Sequence, residues 1–375
     1  MKYSLFIIIY LFLLLSPFQK VSALNISAVS ACIISGDTNQ VIYEKNAYEK
    51  LPMASTTKIM TALLALKTAS PDDLVTVSAN AEGQEGSSIY LARGDKIRME
   101  DLLYGLMLNS GNDAAVAIAE YISGNADSFA SEMTALAHKI GAKNTFFKNP
   151  NGLDEEGHFT TAYDLAIIAS YAMKNPEFRK IVGTIEKQST INSNDILYFK
   201  NHNKLLKMLE GATGVKTGFT KKSGRCLVSA AERDGVELIG VTLNAPDDWN
   251  DHINMMDYAF SLSEKVSVLK KGEIIKNIYT DSQQEIGCAI KEDIDITVFG
   301  DKLPESEIIT HLPKNIRAPI EKGEKIGEAE FWVNGRVYKK TDILSDRDIY
   351  KSAPDKSIRT IFFRVIKNLS KMYLQ

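Results

Sequence analysis

The stretch "LPMASTTKIMTALLAL", residues 51–66, places a serine and a lysine three positions apart at the start of an apolar helical run. Serine is common at a helix N-terminus, so Ser55 by itself predicts only the cap of a buried helix. On a helix, however, Ser55 and Lys58 lie one turn apart on the same face, with Cβ atoms about 5–6 Å apart. A helix N-terminus also favours a developing negative charge, so the same residues suit a serine nucleophile with a lysine base. The remaining motifs have to decide between these two interpretations.

Lysine can act as a base only when it is neutral. Its pKa of about 10.4 would have to fall by roughly three units, which corresponds to about 4 kcal/mol. Partial burial and a second cation near Lys58 would supply that change. Lys216, in "GVKTGFT", is a candidate for the second cation, and Gly218 in the same strand leaves room for another backbone or a ligand to approach.

Short motifs of this kind are weak indicators when taken singly. The chain has a second Ser-x-x-Lys, "SVLK" at Ser267, and Ser-x-Asn occurs three times, whereas "KTG" occurs once, at residues 216–218. Ser110 and Asn112, in "MLNSGNDAAVAIAE", are expected in a turn between two apolar helices, where polar side chains can point into a cleft. The order of the three motifs, each in a suitable structural context, therefore favours a serine active site.

Composition limits the other classes of function. The chain has 375 residues, 45% hydrophobic and 24% charged, which is typical of a globular protein long enough for two domains. A formal net charge of −3 without a basic stripe gives no support to nucleic-acid binding. No HExxH or paired CxxC pattern occurs, so the sequence predicts neither a metal nor a cofactor. Cys32, Cys226 and Cys288 are expected to be buried free thiols, because their number is odd and their spacing wide.

Hydrophobic periodicity predicts an α/β (α+β) fold, an antiparallel sheet with a helical cluster, for residues 24–262. It begins with a hairpin in "ISAVSACIISGDTNQVIYE", whose polar "SGDTNQ" is the expected turn. "TGVKTGFT", "RCLVSAAERDG" and "VELIGVTLN" predict consecutive strands, antiparallel because their connections are short. Short β-prone runs then predict a small all-β domain over residues 263–352. The expected helices are Ser55–Lys67, Glu100–Leu108, Asp113–Ile122, Ser128–Ile140, Ala162–Lys174 and Asp248–Leu262.

The two ends of the chain carry features of an exported protein. Residues 1–23 combine a basic start, an apolar run over residues 5–15 and small residues before Ala23, which predicts a secretory signal peptide cleaved after Ala23. The run is shorter than the ~20 residues that a membrane-spanning helix needs. Residues 353–375 predict a basic amphipathic helix, which suits an anionic membrane surface. The alternative for that segment is a helix docked on the protein's own core.

In their order, "STTK", "SGN" and "KTG" resemble the three signatures of the penicillin-recognising serine acyltransferases. Their surroundings, "ASTTKIMTALLAL", "LMLNSGNDAAVAIAE", "NPNGLDEEGHFTTAYDLA" and "GVKTGFTKKSGRCLVSAA", are similar to those of the low-molecular-mass D-alanyl-D-alanine carboxypeptidases, which are penicillin-binding proteins. "APIEKGEKIGE" resembles their β-rich C-terminal domain, and the terminal helix resembles their membrane anchor. The resemblance implies a β-lactamase/transpeptidase-like domain at the outer face of the bacterial cytoplasmic membrane.

The resemblance also implies a role for the first two motifs. Ser55 would attack the carbonyl of the penultimate D-alanine in a peptidoglycan stem pentapeptide, and Lys58 would take its proton. Ser110 would carry a proton to the leaving amine, and Asn112 would hold Lys58 and the substrate amide. Water would then hydrolyse the acyl-enzyme, whereas β-lactam antibiotics would stall at that stage.

Substrate binding is implied for the third motif. Lys216 and Thr217 would mark the free carboxylate of the substrate, since a carboxylate requires a cation. The backbone N–H groups of Ser55 and Phe219 would form the oxyanion hole. Phe219 departs from the family pattern, because many relatives have histidine there. "LNAPDDWNDH" is a second departure, because relatives carry a basic residue in this region.

A loop beside the cleft is a further implication of the resemblance. The stretch "EGQEGSSIYLARGD" is similar to the flexible loop that these enzymes place there. Ser87 or Ser88 would contact the substrate from this loop. The alternative is a solvated turn without contact to the substrate.

Two other functions share part of this pattern. A β-lactamase of the same superfamily needs a group that deacylates it quickly, and the class A version uses an acidic residue in an ExxxN pattern. Glu155 and Glu156 lie in "GLDEEGHFTTAYD" without that asparagine. A non-catalytic penicillin-binding wall protein could keep the cleft, but it would have no need of Lys58. The expected function is therefore the carboxypeptidase.

Overall fold

Strands and helices alternate along residues 24–262. The computed structural model describes residues 24–192, 195–300, 304–314, 316–350, 362 and 364–367. A 3₁₀ turn, Ala54–Thr57, leads directly into the first α-helix. In chain order the elements are β1 (Ser30–Ser35), β2 (Val41–Lys45), α1 (Lys58–Thr68), β3 (Leu74–Thr76), β4 (Lys96–Arg98), α2 (Met99–Leu108), α3 (Asn112–Ser123), α4 (Ala126–Ile140), α5 (Ala162–Met173), α6 (Pro176–Gly183), β5 (Glu186–Ile191), β6 (Asp195–Lys200), α7 (Leu205–Met208), β7 (Ala212–Thr220), β8 (Gly224–Arg233), β9 (Val236–Leu243) and α8 (Asp248–Ser261).

The central sheet has the strand order β2-β1-β9-β8-β7 and is antiparallel throughout. The predicted hairpin of β1 and β2 and the predicted antiparallel run from β7 to β9 are both confirmed. Asp234 and Gly235 form the tight turn between β8 and β9 with φ values of 51° and 74°, as a two-residue hairpin turn requires. The α/β fold with an antiparallel sheet is therefore confirmed.

Two apolar cores cover the two faces of this sheet, because successive residues of a strand point to opposite sides. Cys32 and Ile34 of β1 pack with helices α1 to α6 in one core. Ala31 and Ile33 of the same strand pack with α8 in the other. Helix α1 is buried at every position from Lys58 to Ala65, as expected for a helix that the core encloses on all sides. The Ser55 turn is therefore joined to a rigid element.

The six predicted helices are present; the first begins three residues later than predicted, and all other ends lie within two residues of the prediction. Thr161 caps α5, since its hydroxyl accepts from the backbone N–H of Asp164 at 3.0 Å. Helix α6 was not predicted, although Asn175 and Pro176 at its start are a typical cap and first residue. The four-stranded sheet β3-β4-β5-β6 was also missed. Its first two strands have three residues each, which is too few for the alternation of apolar and polar residues to be recognised in the sequence.

A third apolar core belongs to the C-terminal β domain. Strands β10 and β13 pair with each other, and the remaining five form a sheet of order β11-β12-β16-β15-β14. The predicted C-terminal β domain is confirmed. Its strands are β10 (Ser263–Leu269), β11 (Ile274–Tyr279), β12 (Glu285–Ile290), β13 (Ile294–Phe299), β14 (Ser306–His311), β15 (Lys325–Val333) and β16 (Arg336–Ser345).

The structure tests the prediction for the cysteines in full and the predictions for the two chain ends only in part. Cys32, Cys226 and Cys288 are buried and unpaired, as predicted. The signal peptide predicted for residues 1–23 lies outside the described residues. Of the predicted terminal helix, residues 362 and 364–367 are described, and they are helical and exposed. Within the described part of the chain, no helix has the length and apolar character needed to cross a bilayer.

Candidate active site

Ser55 lies in the 3₁₀ turn that precedes α1. Its hydroxyl caps no helix; it accepts a hydrogen bond from the Lys58 ammonium at 2.9 Å. The cap interpretation of Ser55 is therefore wrong, because α1 begins only at Lys58. Thr56 closes the turn by donating its hydroxyl to the Met53 carbonyl at 2.6 Å. Ala54 takes up the change of direction with a φ of +48°, a region that non-glycine residues seldom adopt.

Lys58 is completely buried among neutral partners. Its Nζ donates to the Ser55 Oγ at 2.9 Å, to the Asn112 Oδ1 at 2.7 Å and to the Asn151 carbonyl at 2.5 Å. These three acceptors match the three donors of an ammonium group. Burial, and next the nearby charge of Lys216, hold the pKa of Lys58 well below its usual value. Both causes act in the direction that the sequence predicted.

Lys216 occupies the middle of β7 and is also buried. Its Nζ donates to the Thr217 carbonyl at 2.9 Å. Burial lowers the pKa of Lys216 to about 7. Two buried lysines therefore lie near each other, and the charge of Lys216 disfavours the charged form of Lys58.

The second motif forms the turn between α2 and α3. Ser110 adopts a φ of +63° there and lines the cleft. Asn112 is the first residue of α3, and its amide bridges two parts of the site. The Oδ1 accepts from Lys58, while the Nδ2 donates to the Glu85 carbonyl at 2.5 Å. The backbone N–H of Asn112 donates to the Ser87 carbonyl at 2.7 Å.

Strand β7 passes directly against the turn that carries Ser55. A Cβ added to Gly218 would lie 3.0 Å from the backbone nitrogen of Ser55 and 3.1 Å from that of Thr56. No side chain fits there without displacing main-chain atoms. Thr217 and Phe219, on either side of Gly218, line the cleft. The main chain of β7 thus forms one wall of the cleft, next to the serine.

The cleft has a volume of about 380 Å³. Three of the nine predicted site residues, Lys58, Asn112 and Lys216, are buried beneath it. Ser88 does not line the cleft; its hydroxyl donates to Asp113 at 2.6 Å. The predicted residues that line it are Ser55, Ser87, Ser110, Thr217, Gly218 and Phe219, and those that the sequence did not indicate are His202, Lys204, Arg225, Asp248 and Trp249.

Arg225 supplies a positive charge at the cleft that the sequence analysis missed. It lies opposite Phe219 in the register of β7 and β8. Asp248 fixes its guanidinium through two hydrogen bonds, from Nε at 2.9 Å and from Nη2 at 2.8 Å, and the group lies 5.6 Å from the ring of Trp249. Only the strand register reveals this position, so no local pattern could have indicated it.

The loop over residues 149–158 holds the serine turn from the other side. A Cβ on Gly152, where φ is +89°, would lie 2.0 Å from the Ala54 carbonyl oxygen. The His158 Nε2 lies 2.8 Å from the Thr57 hydroxyl, while its Nδ1 accepts from the backbone N–H of Lys148 at 3.0 Å. Burial lowers the pKa of His158 to about 4. The ring is therefore neutral at pH 7, and its Nε2–H donates to Thr57.

The chain that forms this site matches a known protein family. Residues 18–247 match the model of the D-alanyl-D-alanine carboxypeptidases. The chain belongs to this family. Residues 264–351 of this carboxypeptidase match a second model, the C-terminal domain of penicillin-binding protein 5. The resemblance drawn from the three motifs is thereby confirmed, and so is the serine-type carboxypeptidase activity that it implied.

Relatives and solved structures agree with this assignment. The D-alanyl-D-alanine carboxypeptidase DacF of Bacillus subtilis is 35% identical over 345 residues, which is 89% of each chain. Penicillin-binding protein 5 from Haemophilus influenzae superposes with a TM-score of 0.64 at 27% identity and covers 87% of this chain and 98% of its own. A Streptomyces DD-transpeptidase, at 35% identity and a TM-score of 0.61, covers 64% of this chain and 98% of its own. The carboxypeptidase thus shares both its domains with known cell-wall enzymes.

Proposed function

We propose that Ser55 is the nucleophile of this carboxypeptidase and that Lys58 is its general base. The observation that carries the proposal is the 2.9 Å hydrogen bond between the two side chains, combined with the burial that disfavours the Lys58 ammonium. A neutral Lys58 takes the hydroxyl proton as Ser55 attacks the carbonyl of the penultimate D-alanine of a peptidoglycan stem peptide. Loss of the terminal D-alanine then leaves an acyl-enzyme on Ser55.

The cleft supports a role for its other residues in this reaction. The oxyanion binds between the backbone N–H groups of Ser55 and Phe219, where the loss of one donor typically costs about 2.7–4 kcal/mol. Ser110, which lines the cleft from a turn with a positive φ, passes a proton to the leaving amine. Asn112 orients Lys58 and the amide of the bound peptide. The position of Ser87 on the cleft wall supports a contact with the substrate.

The terminal carboxylate of the substrate binds at the end of the cleft formed by Thr217 and Arg225. The guanidinium is suited to a carboxylate because it offers several donors in one plane and stays charged at every physiological pH. Lys216, buried behind Thr217, adds a longer-range positive charge when it is protonated. Arg225 therefore compensates for the basic residue that "LNAPDDWNDH" lacks.

β-Lactams react with Ser55 by the same first step, the acylation of its hydroxyl. Ser55 opens the lactam ring and keeps the acyl group, because the attached ring blocks the approach of water that normally completes hydrolysis. A slow deacylation separates this enzyme from a β-lactamase of the same superfamily. Steady-state hydrolysis of a chromogenic cephalosporin is expected to be negligible. Rapid turnover of the cephalosporin would contradict the proposal that carboxypeptidase activity is the main activity.

The test is the release of D-alanine from a diacetyl-Lys-D-Ala-D-Ala peptide. We expect release by the intact protein and none by the Ser55→Ala variant. The Ser267→Ala variant is a matched control, because it removes the serine of the second Ser-x-x-Lys motif on β10. Release by Ser55→Ala at the rate of the intact protein would exclude Ser55 as the nucleophile. A protein that binds penicillin but releases no D-alanine would be a binder.

We further propose the organisation of the whole chain. Residues 1–23 act as a signal peptide, residues 24–262 form the catalytic domain, residues 263–352 form the β domain, and residues 353–375 attach the enzyme to the outer face of the cytoplasmic membrane. Support for the attachment comes from the described turn of the tail. Its apolar side chains Phe362, Val365 and Ile366 are 60%, 50% and 46% exposed and are free to meet a lipid surface.

A further inference from the structure

Asp113 is a buried carboxylate that the proposed reaction does not use. It follows Asn112 in the first turn of α3, and its exposed fraction is 0%. No Lys, Arg or His among the described residues lies within ion-pairing distance of it. A buried charge without a partner is costly, so the hydrogen bonds that hold Asp113 need to be strong.

The partners of Asp113 come mainly from the loop over residues 85–91. Its two oxygens accept from the Ser88 hydroxyl at 2.6 Å, from the Ile89 N–H at 3.1 Å and from the Leu91 N–H at 3.0 Å. A further bond comes from the Ala114 N–H at 2.9 Å. All these groups donate, so Asp113 acts as an ionised acceptor, and hydrogen bonds to a charged group are about twice as strong as neutral ones.

Asn112 is also hydrogen-bonded to this loop, but it donates where Asp113 accepts. Its backbone N–H and its side-chain Nδ2 donate to the carbonyls of Ser87 and Glu85 in the same loop. These bonds turn the amide oxygen of Asn112 toward Lys58, to which it is hydrogen-bonded at 2.7 Å. A Cβ on Gly86 would lie 3.0 Å from that Nδ2. The loop and the start of α3 are therefore joined by alternating donors and acceptors.

Asp113 also acts on Lys58 through its charge. The charged groups that influence Lys58 are Lys216 on β7 and Asp113 on α3. Lys216 and burial lower the pKa of Lys58, whereas the negative charge of Asp113 raises it. The other partners of the Lys58 ammonium are neutral oxygens, and the nearby His158 is neutral at pH 7. Removing the charge of Asp113 thus changes the proton affinity of the base.

We propose that Asp113 is a positioning residue of the carboxypeptidase reaction: it ties the 85–91 loop to α3 and so holds Asn112 against Lys58 and Ser87 on the cleft wall. This inference rests on the proposed roles of Ser55 and Lys58. The residue touches neither the substrate nor the reacting atoms. Its effect reaches the reaction through Asn112 and through the charge that it places near the base.

The test compares Asp113→Asn with Ser88→Ala in the full chain. The second-order rate constant for acylation by a fluorescent penicillin is measured from pH 5 to pH 10. We expect Asp113→Asn to lower the rate about tenfold, because several charge-assisted bonds are lost. The rise of the rate with pH should also move to lower pH, because a neutral Lys58 is then favoured. Ser88→Ala removes one of the bonds to Asp113, together with the bond from the Tyr90 N–H to the Ser88 hydroxyl, and keeps the charge of Asp113. The rate should therefore fall two- to fivefold without a shift of the profile.

Several results would overturn the proposal. A lower rate in Asp113→Asn with an unmoved pH profile would indicate a purely structural role. Wild-type rate and pH profile in the variant would show that the charge of Asp113 has no role in the reaction. If Asp113→Asn does not fold, as thermal unfolding would show, Gly86→Ala replaces it. That variant should acylate at least tenfold more slowly, because the added Cβ displaces the Asn112 amide, and wild-type rates in both Gly86→Ala and Ser88→Ala would exclude the mechanism. Labelling of Ser55→Ala would instead contradict the proposed nucleophile, not Asp113.

Discussion

Two lysines and one arginine of the candidate active site differ in how firmly they keep their positive charge. Lys58 and Lys216 are buried, and burial lowers the pKa of both, that of Lys216 to about 7. A lysine that loses its charge near neutral pH is suited to proton transfer and poorly suited to holding an anion. Arg225 keeps its charge and has a side chain that is 42% exposed at the cleft. In the proposed mechanism the base and the receptor of the substrate carboxylate are therefore separate residues.

Replacing Arg225 by glutamine tests this separation. We expect KM for a D-Ala-D-Ala peptide to rise and kcat/KM to fall about tenfold, because a charge-assisted hydrogen bond to the substrate carboxylate is lost. The kcat value should change little, since Ser55 and Lys58 are untouched. Arg233→Gln is the matched control, because Arg233 lies at the far end of the same strand and pairs with Asp257. An unchanged KM in Arg225→Gln would assign the carboxylate to another group.

The three motifs made most of the site predictable at the level of single residues. Ser55, Lys58, Ser110 and Asn112 each belong to a motif with a chemical reason for its spacing. The third acceptor of Lys58, the Asn151 carbonyl, is a backbone atom, and a backbone atom leaves no sequence pattern. Arg225 and Asp248 meet only because β8 and the start of α8 lie side by side. Such positions follow from the tertiary fold and cannot be read locally.

At the scale of elements, the serine turn is held between β7 and the 149–158 loop. Gly218 and Gly152 approach the turn from opposite sides, and neither position leaves room for a Cβ. The turn includes Ala54 in a left-handed conformation, which persists only when its surroundings impose it. The geometry of Ser55 is therefore fixed by packing from both sides and not by the local sequence.

Gly152→Ala should consequently disturb Ser55 without replacing any polar side chain of the site. The added Cβ would meet the Ala54 carbonyl at 2.0 Å, so the turn must move, and we expect penicillin acylation to slow by more than tenfold. Gly94→Ala is a close control, because φ is +91° there, against +89° at Gly152, and nothing lies within 4 Å of its Cβ. The two variants share the backbone strain of an alanine at positive φ and differ in the space around the added Cβ. Equal acylation rates in both would contradict the role of packing.

The predictable elements are those with a clear period or turn signal. The hairpin of β1 and β2 and the strands β7 to β9 are short β-prone runs bounded by turn residues, and the "RDG" turn between β8 and β9 takes the positive φ values that its residues permit. The sheet β3-β4-β5-β6 has no such signal: β3 and β4 are three residues long, and β4 meets β5 at a single pair, Ile97 and Ile191. Its pairing depends on contacts that are distant in sequence.

At the scale of the whole molecule, two buried histidines link stability to pH. Burial lowers the pKa of His158 to about 4 and that of His252 to about 3, while both would titrate near 6.5 in the unfolded chain. The unfolded state therefore binds more protons below pH 6.5, and the folded state loses stability as the pH falls from there toward 4. His252 is enclosed between the hydroxyls of Ser229 and Thr242, at 2.6 and 3.0 Å.

Urea unfolding at pH 7.5, 5.5 and 4.5 measures this loss. Between pH 6.5 and 4.5 each buried histidine should remove roughly 2–3 kcal/mol from the free energy of unfolding. His252→Gln should be less stable at pH 7.5 but show a weaker dependence on pH. His311→Gln serves as the control, because the His311 side chain is 57% exposed. If His252→Gln and the intact protein lost stability in parallel, the titration of His252 would not be the cause.

A second prediction at this scale concerns the tail. A protein ending at Pro354 keeps the described residues of both domains, and it should be soluble and retain the kcat/KM of the full chain toward the D-Ala-D-Ala peptide. The full chain should instead sediment with vesicles that contain anionic lipids, because the tail carries basic residues beside exposed apolar ones. Vesicle binding by the shortened protein would place the anchor elsewhere.

The close approach of Gly218 to the backbone of Ser55 has a consequence for drug resistance. The wall of the cleft that β7 forms consists of main-chain atoms at this point, and a codon change replaces side chains but leaves the peptide groups in place. An inhibitor whose affinity depends on those peptide groups therefore leaves the bacterium few escape routes by point mutation in this wall. Escape would have to come from the exposed rim, at Phe219, Arg225 or Trp249, where a larger or differently charged side chain can exclude the inhibitor.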